Sequence, residues 1–127
     1  MKDAFRKAGV EKKLQVATDG RQALEHLREG VQRGEPGPQL IILDLKLPFV
    51  MGLEVLRQIR EDLGLLTVVV VMSASAEKRD VTDAYRAGAN AYLVKPSDTS
   101  KLVDIVKSIK LFWLQQNVFA EVEPAQN

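Results

Sequence analysis

Hydrophobic residues along the chain fall into short continuous runs that are separated by longer segments with helical spacing. Three of these runs show no alternation with polar residues: residues 40–43, 68–72 and 91–94. A continuous apolar run of this length, rich in β-branched residues, is typical of a strand buried on both faces of a sheet. A weaker fourth run, residues 14–17, is followed by the turn dipeptide Asp19-Gly20. The pattern therefore predicts four strands.

The segments between these runs carry apolar residues at spacings of three and four, which is typical of amphipathic helices. Helices are predicted at about residues 20–33, 52–63, 81–87 and 98–117, with a short helical piece at residues 2–8. Gly88 is placed to end the third helix, and Asp98 is placed to cap the start of the fourth. Alternating strands and helices predict an α/β domain in which helices cover a parallel sheet.

The last predicted helix divides its large apolar residues between two faces. Phe112 and Trp113 continue the stripe that is expected to face the sheet, whereas Leu111, Leu114 and Val118 fall outside it. Apolar residues outside the core stripe predict a contact with a second copy of the chain or with a partner protein.

Composition limits the classes of function. The chain has 127 residues, 46% of them hydrophobic, which suits one domain over residues 1–117 followed by a flexible tail over residues 118–127. The net charge of +1 predicts neither a nucleic-acid partner nor an anionic membrane. The absence of cysteine excludes thiol chemistry, and the one histidine, His26, is expected on the surface. No apolar run approaches the roughly 18 residues of a membrane span, so a cytoplasmic location is expected.

Polar side chains follow three of the predicted strands at the point where each strand ends. Asp44 follows the first of the three strong runs, Ser73 follows the second, and Lys95 follows the third. In an open parallel sheet, functional groups gather at the carboxyl ends of the strands. A carboxylate, a hydroxyl and an ammonium group at this edge suit an anion-handling site. The carboxylate would be the nucleophile, and the other two groups would stabilise the oxygens of a transferred phosphoryl group.

Several spaced motifs, taken in order, resemble those of the receiver domains of two-component response regulators. They are residues 44–48 (DLKLP) followed by Gly52, residues 72–74 (MSA), and residues 88–96 (GANAYLVKP). The resemblance implies a flavodoxin-like, doubly wound parallel sheet. Residues 108–114 (SIKLFWL) further resemble the receivers that partner phytochrome-type histidine kinases.

The resemblance implies a phosphoacceptor role for Asp44 in a phosphorelay. Asp44 would take a phosphoryl group from the histidine of a kinase or phosphotransfer protein and would become an acyl phosphate. Mg²⁺ is the implied cofactor, since its preference for oxygen ligands suits the charge on the phosphoryl oxygens. Its implied ligands include a carboxylate oxygen of Asp44 and the backbone carbonyl of Lys46.

The resemblance also assigns roles to three further residues. Lys95 would pair with one phosphoryl oxygen, and Ser73 would donate a hydrogen bond to another. Tyr92 would be the aromatic switch that rotates inward when Ser73 moves, although an aromatic residue on a buried strand is also ordinary core filling. The implied Lys95-Pro96 bond is cis, a conformation that only an X-Pro bond accepts at low cost.

The sequence departs from the receiver pattern at its start. Receivers carry an adjacent acidic pair at the end of a central first strand, and this pair completes the metal site. This sequence shows neither that strand nor that pair, because it opens with the helical piece at residues 2–8. Either the sequence is truncated relative to the natural chain, or the protein closes the gap that the missing central strand leaves in the sheet. Two arrangements could close this gap. The strand at residues 14–17 could pair elsewhere, or segments could be exchanged in a homodimer.

A second departure lies beside Asp44. Residues 49–51 (FVM) are apolar where receivers commonly carry polar or acidic residues. This loop is therefore expected either to pack on the domain itself or to contact a partner.

Three functions stay open at this stage. The first is a non-enzymatic, single-domain phosphoacceptor that signals through protein contacts. The second is a receiver-like interaction module that works without phosphorylation, which the missing acidic pair favours. The third is a phosphatase of the haloacid-dehalogenase type, but such enzymes carry Asp-x-Asp at the nucleophile, and this chain has Lys46 two positions after Asp44.

Overall fold

A computed structural model describes residues 14–35, 37–46 and 50–121 of the chain. The strands are β1 (Leu14–Ala17), β2 (Leu40–Leu43), β3 (Val68–Ser73) and β4 (Ala91–Val94). The helices are α1 (Gly20–Gln32), α2 (Gly52–Arg57), α3 (Lys78–Arg86) and α4 (Thr99–Ile109). The strands predicted from the apolar runs are all confirmed. The helical piece predicted at residues 2–8 lies outside the described residues.

The strands form one parallel sheet in the order β1-β2-β3-β4. Strand β1 pairs directly with β2, from Leu14 opposite Leu40 to Ala17 opposite Leu43. The sheet therefore has no gap between the strands that the structure describes. The strand at residues 14–17 is thus paired with β2 within the same chain, as one of the two alternatives for the missing strand predicts.

Two apolar cores lie on the two faces of the sheet. Alternate residues of β2 and β3, such as Ile41 and Val69, pack against α1, α2 and α3 on one face. The other residues of these strands, such as Ile42 and Val70, pack against α4 on the opposite face. Every residue of β2 and β3 is buried, as a continuous apolar run predicts. The α/β class, with helices on both faces of a parallel sheet, is confirmed.

Two of the predicted helices are not regular α-helices along their full length. Helix α2 continues as a π-helical turn over Gln58–Asp62, and α4 continues as a π-helical turn over Lys110–Gln116. In the second turn, the amide of Asn117 donates to the carbonyl of Phe112, five residues earlier. A π-helical turn contains more residues than an α-helical turn, and it rotates the following side chains relative to the 3.6-residue period.

This rotation corrects the prediction for the end of the last helix. Phe112, predicted to face the sheet, is 55% exposed, whereas Leu114, predicted to fall outside the stripe, packs against the core. Trp113 packs against the core as predicted, and Leu111 and Val118 are exposed as predicted.

The predicted ends of the last two helices are confirmed, but the cis peptide is not. Gly88 follows α3 with a left-handed φ of 112°, and the Asp98 side chain accepts from the amide of Ser100 at the start of α4. The structure has no cis peptide in its described part, so the prediction for Lys95-Pro96 is wrong. The trans form is the lower in energy for an X-Pro bond, by about 0.5–1 kcal/mol.

Among the described helices, none is long and apolar enough to cross a bilayer.

Candidate functional site

Three neighbouring strands place the predicted site residues at one edge of the sheet. Asp44 follows β2, Ser73 is the last residue of β3, and Lys95 follows β4. The ladder continues past the end of β4, because the amide of Lys95 donates to the carbonyl of Ser73 over 2.7 Å. Asp44 and Lys95 therefore follow the two strands that flank β3, and their side chains extend toward each other.

The side chains of Asp44 and Lys95 form an ion pair. The Lys95 Nζ lies 2.8 Å from Asp44 Oδ2, and the amide of Lys46 donates to Asp44 Oδ1 over 3.0 Å. About a quarter of the Asp44 side chain and a third of the Lys95 side chain remain exposed. The carboxylate is thus oriented by two donors and is still accessible from solvent.

The side chain of Ser73 is held within its own loop. Ser73 is 3% exposed, and its Oγ accepts a hydrogen bond from the amide of Ser75 over 3.2 Å. The structure therefore brings Asp44 and Lys95 into direct contact and places Ser73 on the strand between them, with its hydroxyl bonded to the loop that follows β3.

Tyr92 is linked to the same loop. Its ring packs against the core on the α1–α3 face, and its hydroxyl donates to the carbonyl oxygen of Ser75 over 2.8 Å. Tyr92 is therefore both part of the core and bonded to the loop that carries Ser73. Sequence reasoning missed Ser75, because a backbone carbonyl acceptor leaves no mark in the sequence.

The segment after Asp44 folds back closely onto that residue. The amide of Gly52 donates to the carbonyl of Leu45 over 3.0 Å, so the start of α2 lies against the end of β2.

The apolar loop at residues 49–51 was expected either to pack on the domain or to contact a partner, and its two described residues differ in burial. Val50 packs against the core, Met51 is 58% exposed, and Phe49 lies outside the described residues.

The described residues fit a metal ion only in part. No group of three or more His, Asp or Glu side chains able to hold a metal occurs among them. Asp44 supplies one carboxylate, and each of its oxygens has a second lone pair beside the bonds from Lys46 and Lys95. Mg²⁺ commonly binds through one or two carboxylates, completing its octahedron with waters and phosphate oxygens. The site therefore fits an open Mg²⁺ site rather than a closed protein cage.

Known proteins similar to this chain include single-domain regulators. The chain is 37% identical over 115 residues to the probable methanogenesis regulatory protein FilR2 of Methanothrix harundinacea, covering 90% of this chain and 74% of that protein. It is 32% identical over 117 residues to response regulator Rcp1 of Synechocystis, covering 91% of this chain and 80% of that protein.

Solved structures and a family model agree with these relatives. The phosphorylated cyanobacterial phytochrome response regulator RcpA superposes with a TM-score of 0.82 at 34% identity, covering 94% of this chain and 89% of that one. The Mn²⁺-bound form of Rcp1 superposes with a TM-score of 0.79 at 30% identity, covering 94% and 90%. The model of the response regulator receiver domain matches residues 1–107. The chain therefore belongs to the response regulator receiver domain family.

Proposed function

We propose that this receiver accepts a phosphoryl group on Asp44 from a phosphohistidine and passes the signal on by protein contact. The observation that carries the proposal is the ion pair between Asp44 and Lys95 at the carboxyl edge of the sheet. A nucleophilic carboxylate needs an accessible oxygen and a nearby cation to receive a dianionic group. This pair, partly exposed to solvent, supplies both.

The transfer is a displacement at phosphorus. An Asp44 carboxylate oxygen attacks the phosphorus atom, the bond between phosphorus and the histidine nitrogen breaks, and the imidazole leaves with the electron pair. The product on the chain is an acyl phosphate. The Lys95 ammonium is already 2.8 Å from Asp44, and it needs only a small shift to pair with a phosphoryl oxygen. Ser73 would donate a hydrogen bond from its hydroxyl to another phosphoryl oxygen.

Mg²⁺ is the proposed cofactor. Asp44 and the backbone carbonyl of Lys46 would hold it, and when bound it would offset negative charge on the phosphoryl oxygens. The Mn²⁺-bound form of the relative Rcp1 supports a divalent ion in this fold. Since the described residues supply one carboxylate, we expect the affinity for the ion to be low before phosphorylation.

Tyr92 is the proposed switch residue. Its hydroxyl is bonded to the carbonyl of Ser75, two residues after the proposed phosphoryl partner Ser73. A movement of Ser73 toward Asp44 would therefore disturb the bond that fixes Tyr92. In this proposal, the charge added at Asp44 shifts the equilibrium between two positions of the Tyr92 side chain and of the loop bonded to it.

The proposed partners are a histidine kinase or a phosphotransfer protein, and the proposed location is the cytoplasm. Receivers also occur within kinases similar to this chain, such as the osmosensing histidine protein kinase SLN1 of Saccharomyces cerevisiae.

This family acts in general as a signalling domain and not as an enzyme, so self-dephosphorylation is the only reaction proposed beyond phosphoryl acceptance. Near-zero net charge supports neither nucleic acid nor membrane as a partner.

The experiment that tests the proposal is the intact mass of the chain after incubation with acetyl phosphate and Mg²⁺. The parent should gain one phosphoryl group. Asp44→Asn should gain none, while the matched variant Asp104→Asn, changed on the exposed side of α4, should match the parent. Lys95→Ala should slow the gain by at least about tenfold, because it removes a charge-assisted contact to the reacting group. An equal gain in the parent and in Asp44→Asn would place the phosphoryl group elsewhere.

One observation favours a second function, that of a module which binds its partner without phosphorylation. The described residues show no acidic cluster beside Asp44. No phosphoryl gain in the parent, together with partner binding that is unchanged in Asp44→Asn, would support this second function. The match to the receiver family favours either of these functions over a haloacid-dehalogenase-type phosphatase.

A further inference from the structure

The loop between β3 and α3 is closed by a hydrogen bond that the proposed function does not use. We propose that Ser75 and Asp80 form a latch that keeps the Ser73 hydroxyl bonded to this loop and so slows the response of the loop to phosphorylation. The inference rests on the proposed function, because it concerns the regulation of the same site.

The side chains of Ser75 and Asp80 make the latch. The Ser75 hydroxyl donates to Asp80 Oδ2 over 2.5 Å, and the same hydroxyl oxygen accepts from the amide of Glu77 over 3.2 Å. A hydrogen bond to an ionised carboxylate is stronger than one between neutral groups. Both side chains are half-buried, so the bond is partly shielded from water.

The backbone of Ser75 carries the latch to both proposed switch residues. Its amide donates to Ser73 Oγ over 3.2 Å, and its carbonyl accepts from the Tyr92 hydroxyl over 2.8 Å. The single residue Ser75 therefore joins the hydroxyl expected to move, the aromatic side chain expected to follow it, and the carboxylate of Asp80.

Asp80 connects this loop to helix α3. It lies in the first turn of the helix, where a negative charge is favourable next to the unpaired amides. Glu77, the residue before the helix, makes no side-chain cap. The bonds from Ser75 therefore help to hold the beginning of α3, and a change in the loop reaches the helix through Asp80.

The consequence concerns the free-energy cost of turning Ser73 toward Asp44. That movement must break the bond from the Ser75 amide or move Ser75 with it, and moving Ser75 strains its bond to Asp80. Removing the Asp80 carboxylate should lower this cost. A latch predicts that the variant responds faster, whereas a residue with only a structural role predicts a slower or weaker response.

The first test needs no phosphorylation. Amide hydrogen exchange of Ser75 and Glu77, followed by NMR, should be about three- to tenfold faster in Asp80→Ala than in the parent. The matched variant Asp83→Ala, which removes a carboxylate from the same helix, should leave these two amides within about twofold of the parent. For the amide of Ser75, Ser75→Ala combined with Asp80→Ala should exchange no faster than the faster single variant, since both remove the same bond. Unchanged exchange in Asp80→Ala would overturn the latch.

The second test measures phosphoryl gain with acetyl phosphate and Mg²⁺. Asp80→Ala should gain the group about three- to tenfold faster than both the parent and Asp83→Ala. A slower gain in Asp80→Ala, with its fold intact by far-UV circular dichroism, would contradict the latch. If the parent gains no phosphoryl group, the proposed function fails, and the exchange measurement alone still decides whether Ser75 and Asp80 hold the loop.

Discussion

The backbone of Gly52 lies against the backbone that carries Asp44. A β-carbon placed at Gly52 would lie 2.3 Å from the carbonyl oxygen of Asp44 and 2.7 Å from the α-carbon of Leu45. Both neighbours are backbone atoms, which cannot rotate aside as a flexible side chain can, so they have little room to move away. The missing side chain at Gly52 thus allows α2 to begin directly beside the proposed phosphoacceptor.

Gly52→Ala should therefore destabilise the protein by about 1–3 kcal/mol, because the added methyl group forces apart two packed backbone segments. The control is Gly30→Ala in α1, since a β-carbon there would lie within 4 Å of no atom other than those of the adjacent residues and of the backbone of its own helix. That variant should stabilise the protein by about 0.5–1 kcal/mol through helix propensity alone. Urea unfolding of the two variants measures both effects, and equal midpoints would contradict the packing argument.

At the residue scale, the sequence predicts the charged members of the site better than the bonds that position them. Asp44 and Lys95 follow apolar runs, so their meeting at one sheet edge follows from the parallel topology. The position of Ser73 is predicted in the same way. Its bond to the Ser75 amide is not, because turn hydrogen bonds depend on backbone angles that the side-chain pattern does not encode.

At the scale of elements, helix α4 begins with a side-chain cap. The Asp98 carboxylate accepts from the amide and from the hydroxyl of Ser100, and these hydrogen bonds hold the pKa of Asp98 below its usual value. Because the folded-state pKa is depressed, the cap contributes stability above the pKa that Asp98 has in the unfolded chain. This contribution is lost as the pH falls through the folded-state pKa.

Asp98→Ala should lower the melting temperature at pH 7 by a few degrees, because the first turn of α4 loses its acceptor. The difference between the variant and the parent should shrink as the pH falls below the usual pKa of an aspartate and through the depressed folded-state pKa of Asp98, where the carboxyl of the folded parent becomes protonated. Thermal unfolding followed by circular dichroism from pH 7 to pH 3 measures this. A difference that stays constant over the whole range would show that the charge of Asp98 has no role in the cap.

The helix ends show how far periodicity predicts an element. Apolar spacing predicts the existence and the start of α2 and α4, since the first turns follow the 3.6-residue period. The π-helical turns at Gln58–Asp62 and Lys110–Gln116 were not predicted. An apolar residue that falls on the wrong face is the only sequence signal of such a turn, and Leu114 is one example.

At the scale of the whole molecule, one arginine joins three distant parts of the fold. Arg60, in the π-helical turn after α2, donates to the carbonyls of Leu65, Thr67 and Gly88 over 2.7–3.0 Å. It also donates to the side-chain oxygen of Asn90 over 2.8 Å. All four acceptors are uncharged, and burial lowers the pKa of Arg60 from its usual value. The side chain therefore ties α2 to the segments that enter β3 and β4.

Arg60→Met should destabilise the protein by about 3 kcal/mol, because it leaves several partly buried acceptors without their donor. The matched variant Arg86→Met, at an exposed position of α3, should change the free energy of unfolding by less than about 0.5 kcal/mol. Chemical denaturation compares the two variants. A similar small change in both would show that water replaces the guanidinium at these carbonyls.

The strand order has a consequence for how the chain folds. Leu14 pairs with Leu40, Leu40 with Val68, and Val70 with Ala91, so each pairing closes a loop of fewer than about 30 residues. A sheet whose order reverses must insert one strand between two others that come from distant parts of the chain. Each of the four described strands instead pairs with its neighbour in sequence. The pairings among these strands are therefore local along the chain, which favours fast folding of this part of the sheet.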